Sequence, residues 1–175
     1  MNEKKAIERA TAEAFIQHYN TIEGTFYQII EHSDHPDFRC KDDSGQELLL
    51  EVTLTEDRPQ DIAAALGRSN HRSVEALRNH LLKVRRGEAN PLGFAISLAD
   101  VSRILVTRIL KKKDKAYGSN TALVVRDASP LDWPWDQVID EIKNKLEPHR
   151  EDLKKHFDKG IWIVSYGKDK LFKLL

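Results

Sequence analysis

The chain has 175 residues, 40% of them apolar, which is the size of one domain with room for a buried core. Its single cysteine, Cys40, excludes a disulfide framework and a cysteine-rich zinc site. The opening MNEKKAIERATAEAF has neither the apolar centre of a signal peptide nor a spanning run, so the expectation is one cytoplasmic domain over residues 1–175 with no membrane partner. Lys+Arg and Asp+Glu balance at 28 each, yet residues 31–61 carry 10 acids against 3 bases and residues 68–115 carry 12 bases against 4 acids. Neutrality is therefore a cancellation of two biased regions, and the basic one keeps nucleic acid open as a partner.

Helical spacing predicts a first helix over residues 3–19, with Ile7, Ala10, Ala14, Phe15 and His18 on its apolar face and Gly24 as the stop. Three runs with strand character follow, residues 26–31, 37–41 and 48–54, and read as an antiparallel meander. Residues 58–88 are helical in composition and rich in Arg and His, and look like a cover over one edge or face of the sheet. A helix over residues 98–117 carries Leu98, Val101, Leu105 and Ile109 on one stripe, and residues 121–126 (TALVVR) read as a buried strand. The loop holding Trp133 and Trp135 leads into a helix with Val138, Ile139, Ile142 and Leu146, which ends before Pro148. A charged helix over residues 151–157 and strands over 161–166 and 171–174 complete an α/β pattern with a mixed sheet.

The chemistry concentrates in the meander. In residues 48–54 the period of two places Leu48, Leu50, Val52 and Leu54 on one face and Leu49, Glu51 and Thr53 on the other. The connection Asp42-Asp43-Ser44-Gly45-Gln46 suits a three-residue hairpin loop ending in a left-handed glycine. Centred on Ser44, it pairs Cys40 with Leu48, Phe38 with Leu50 and Asp37 with Glu51. Two acids facing each other across a ladder repel. A hard divalent cation would relieve them; the alternative is that Asp37 caps the strand start while Glu51 faces water.

His35-Pro36-Asp37 followed, after a hairpin, by Glu51-Val52-Thr53 resembles the PD-(D/E)xK nuclease superfamily, as does the order of helix, three-stranded meander, helix and further strands. The resemblance implies a restriction-endonuclease-like α/β fold, a mixed central sheet flanked by helices. It further implies that Asp37, Glu51 and the backbone carbonyl of Val52 bind Mg²⁺ or Mn²⁺ for phosphodiester hydrolysis. The family's lysine, two residues past the second acid, is Thr53 here, which can hold a water but supplies no positive charge.

Some members of the superfamily carry that lysine on the helix after the core strands, and the run Lys111-Lys112-Lys113-Asp114-Lys115 resembles this variant. Lys112 falls within the arc of Val101, Leu105 and Ile109 and so points inward. The superfamily also tends to place a glutamate on its first helix, and Glu8, on the edge of the apolar stripe, fits best. Each has a plain alternative: a solvated helix C-terminus for the lysines, and a surface pair with Lys4 for Glu8. His32 and His35 flank Asp34 near the acids, within reach of a phosphate. His71, His80, Arg68, Arg72, Arg78, Arg85 and Arg86 would form a footprint for a polyphosphate.

No G-x-x-x-x-G-K-[ST], G-x-G-x-x-G, G-x-S-x-G or H-E-x-x-H occurs, leaving nucleotide triphosphatase, dinucleotide, serine-hydrolase and zincin readings without support. The expectation is an Mg²⁺-dependent nuclease acting on nucleic acid, DNA ahead of RNA, with a homodimer as the candidate assembly. The rival is a non-catalytic module of the same fold that binds nucleic acid or protein, with Arg39 or a water relieving the acid pair.

Overall fold

The computed structural model describes residues 3–54, 79, 82–83, 86–88, 98–127, 134–165 and 170–175. The expected basic cover over residues 58–88 falls almost wholly outside these residues, as does Trp133. The described elements run α1 (Glu3–Glu23), β1 (Gln28–His32), β2 (Phe38–Lys41), β3 (Glu47–Leu54), α2 (Leu98–Lys112), β4 (Thr121–Asp127), α3 (Trp135–Leu146), a 3-10 turn (Glu147–His149), α4 (Arg150–His156), β5 (Ile161–Ser165) and β6 (Lys170–Lys173). They make an α/β fold around one six-stranded mixed sheet in the spatial order β1 to β6. The β1–β2, β2–β3 and β5–β6 pairs are antiparallel, while β3–β4 and β4–β5 are parallel and need the helical crossovers. Among the described residues no helix is long and apolar enough to cross a membrane.

Alternation along the central strands divides the core into two. Leu48, Leu50, Val52, Leu54, Ala122, Val124, Trp162 and Val164 pack with Ala12, Phe15, Ile16 and Tyr19 of α1. The other set, Leu123, Val125, Ile161 and Ile163, packs with Leu105 and Ile109 of α2 and with Val138, Ile139, Ile142 and Leu146 of α3. The odd-numbered residues of β3, Glu51 and Thr53, therefore face the α2 side, in register with Leu123 and Val125.

Three expectations need correction. The buried stripe of α1 is Glu8, Thr11, Ala12, Phe15, Ile16 and Tyr19, whereas Ala10 is exposed. Phe15 and Tyr19 both lie edge-on to Trp162, at 6.0 and 5.5 Å between centroids, and these aromatic contacts outweigh the burial of one methyl group. Strand β1 starts at Gln28 rather than at residue 26, because the Asn20 amide already satisfies Tyr27: Nδ2 donates to its carbonyl and Oδ1 accepts from its N–H, both at 2.9 Å. Helix α2 ends at Lys112 rather than at Tyr117. Beyond it the chain turns so that Tyr117 can enter the core against Phe157, with centroids 5.2 Å apart.

Candidate metal and phosphodiester site

The β2–β3 hairpin brings the two acids together. Gly45, at φ 83, donates to the Asp42 carbonyl at 3.0 Å, and Asp42 Oδ1 accepts from the Ser44 and Gln46 N–H groups, each at 2.9 Å. This closes a three-residue loop with glycine in its left-handed position. The resulting register pairs Cys40 with Leu48 and Phe38 with Leu50, as the sequence predicts. Asp37 lies one residue before the ladder. Its Oδ2 accepts the Val52 N–H at 2.7 Å, one residue past Glu51. Burial, then the Glu51 charge, push the Asp37 carboxyl up to about 6, against the smaller opposing pulls of the Val52 N–H and Lys112.

Glu51 is 2% exposed and carries its two oxygens into different surroundings. Oε1 accepts from Lys112 Nζ at 2.7 Å and from the Tyr117 hydroxyl at 3.2 Å. Burial and the adjacent Glu51 carboxylate push the Tyr117 hydroxyl upward, so it remains a donor. Among the described residues Oε2 has no hydrogen-bond partner, and His35 Nδ1 lies 3.8 Å from it. The other ring nitrogen of His35 faces the Ala116 carbonyl at 3.2 Å.

Of the lysine run, Lys112 is the one that meets Glu51; Lys113 reaches Asp152 at 3.6 Å, and Lys111 and Lys115 are exposed. Glu8 comes from α1, in the other layer, and is 8% exposed, with Lys4 at 3.5 Å and His32 Nε2 at 4.0 Å from its carboxylate. Its charge is felt at Asp37, weakly beside that of Glu51. Thr53 is buried two residues past Glu51 on the same face. His32 is stacked on Phe38 at 4.3 Å. Trp135 is buried at the start of α3 and stacked on Phe172 at 5.2 Å, so it anchors the core.

Sequence reasoning placed His35 near the acids but missed its orientation, and it missed Tyr117 altogether. The usable signal for Tyr117 was an aromatic residue directly before Gly118, where a helix must stop and the chain must turn inward. Among the described residues no group of three or more His, Cys, Asp and Glu side chains encloses a metal position. Asp37 and Glu51 thus form at most an open set of donors.

No family model matches the chain, and neither a curated protein nor a solved structure matches it.

Proposed function

We propose that Asp37 and Glu51 form the divalent-cation centre of a nuclease of the restriction-endonuclease-like, PD-(D/E)xK type. The observation that supports this most is the Glu51 carboxylate, nearly fully buried with Oε2 unpartnered, next to a second carboxylate whose proton affinity it raises. An orphaned buried anionic oxygen is costly. A cation fits this donor chemistry, since it would relieve both the orphan and the repulsion; Asp37, Glu51 and the Val52 carbonyl would hold Mg²⁺ or Mn²⁺. When bound, the ion would activate water and neutralise charge on a phosphodiester.

The remaining roles fall to this chain's own groups. Thr53 would orient a water through its hydroxyl, and Lys112 would bring the positive charge that Thr53 lacks. Glu8, whose charge also raises Asp37, would bias the pair toward cation capture. DNA is the proposed substrate ahead of RNA, with the backbone as the recognised element.

Purified protein with Mg²⁺ or Mn²⁺ should cleave single- or double-stranded DNA or RNA, and Glu51→Gln should abolish cleavage while leaving nucleic-acid binding intact. Equal, metal-independent behaviour of the two proteins on every substrate would sink the nuclease reading. A second reading, a non-catalytic module, is favoured by one observation: Lys112 is already engaged as the internal counter-ion of Glu51. Arg39, a possible relief for the pair, is on Glu31 instead at 3.4 Å.

A further inference from the structure

The ring of His35 closes one side of the site with a nitrogen whose chemistry differs from that of the acids. We infer that His35 Nδ1 and Glu51 Oε2 together offer a two-donor cation position, so that Glu51 takes a transition-metal dication such as Co²⁺ ahead of Mg²⁺ there. This rests on the divalent-cation reading above.

The backbone sets the tautomer. A carbonyl oxygen only accepts, so the His35 nitrogen facing Ala116 at 3.2 Å carries the ring hydrogen. In the neutral ring Nδ1 is then a bare lone pair. Metal-binding histidines are oriented in this way, through a hydrogen bond from the other nitrogen to a carbonyl or carboxylate.

That lone pair faces the one oxygen of Glu51 that nothing satisfies, 3.8 Å away. The separation is too long for an N–H···O bond and shorter than twice a metal–ligand distance of about 2.1 Å. With the ring neutral, two acceptors thus confront each other across this gap. The Tyr117 ring, 4.8 Å from the imidazole, backs it on one side, and the His35 side chain is 43% exposed, whereas Glu51 Oε2, the other partner of the gap, is buried. Because among the described residues no third His, Cys, Asp or Glu joins these two, water or a phosphate oxygen would complete the shell.

Imidazole nitrogen favours the borderline transition metals, whereas carboxylate and carbonyl oxygens suit Mg²⁺ and Ca²⁺. A mixed set should therefore shift preference toward Co²⁺ by a factor the oxygens alone do not supply.

The test titrates the full chain with Co²⁺ and with Mg²⁺, reading thermal shift and the visible absorption of bound Co²⁺. His35→Phe keeps a ring against Tyr117 but has no nitrogen, and Glu51→Gln controls for Co²⁺ held by surface histidines. The expected result is that His35→Phe loses about tenfold or more in Co²⁺ affinity and alters the Co²⁺ spectrum, with Mg²⁺ affinity changed far less. Unchanged Co²⁺ affinity and spectrum in His35→Phe, with both ions still lost in Glu51→Gln, would overturn the role of His35 and leave the cation reading standing. No Glu51-dependent binding of either ion, as when a water fills the gap, would remove both.

Discussion

Lys112 and Tyr117 donate to one oxygen of Glu51, and the other oxygen is left to whatever enters the site. Removing the ammonium strands a buried anion. Lys112→Met should therefore cost about 1–3 kcal/mol in urea unfolding, and the Lys112→Met/Glu51→Gln double variant should recover most of it, as expected for groups in contact. Saturating Mn²⁺ should raise the Tm of Lys112→Met by more than that of wild type, because the ion takes over the missing charge. Equal stability of wild type and Lys112→Met would show that Lys112 is not the effective counter-ion. Asp37 sets a pH dependence of opposite sense to that of a salt-bridged acid. Its folded-state pKa, about 6, lies above the ordinary aspartate value of 3.8, so between these values the folded chain binds more protons than the unfolded one. This contribution is fully present below about pH 4 and is lost as pH rises through about 6, with a slope approaching about 1.4 kcal/mol per pH unit. With divalent ions chelated, Asp37→Asn should flatten that part of the stability profile. A profile unchanged by Asp37→Asn would contradict the geometry that crowds the two acids.

At the level of elements, register carries the site, and two glycines guard register in different ways. Gly45, at φ 83, has open space where a Cβ would go, so Gly45→Ala pays only for the left-handed backbone, about 1–2 kcal/mol. Gly160, at φ 93, sits where the chain enters β5; a Cβ there would lie 2.6 Å from the Leu175 carbonyl and 3.0 Å from Trp162 Nε1. That carbonyl accepts the Ile161 N–H, and Gly160 itself accepts the Leu123 N–H at 3.0 Å, so displacement would loosen the β4–β5 start and the C-terminal end together. Gly160→Ala should cost clearly more than Gly45→Ala in the same urea experiment, beyond about 2 kcal/mol. Equal losses would mean that the C-terminal segment yields without cost. The hairpin was legible from sequence because its loop chemistry and the alternation of both strands agree on one register. The exit of α2 was not, since helical period continues smoothly through Lys115 while the pull that ends the helix comes from Phe157 and Glu51, far along the chain.

Across the described elements, the order of strands and helices was legible because each strand of the parallel centre is a short apolar run bounded by turn residues. The layer to which each face belongs was less so. Thr11 can be buried in α1 because its hydroxyl donates to the Ile7 carbonyl at 2.8 Å, a local satisfaction that a hydropathy pattern scores as polar. Lys112 was found from its angle on the helix, whereas the role of Tyr117 required the tertiary fold. The partners of Glu51 also differ in how far along the chain they lie. Asp37 reaches the backbone of Val52 over a separation of 15 residues, within one hairpin, while Lys112 and Tyr117 reach Glu51 over 61 and 66. Chain closure costs more over the longer span, and local contacts form first. A chain with its meander formed and its crossover still open would therefore carry the repulsion between Asp37 and Glu51 without the ammonium that offsets it. The charge balance of the site is complete only when α2 has docked, which ties capture of the buried carboxylate to the strand pairing with the longest sequence separation in the sheet.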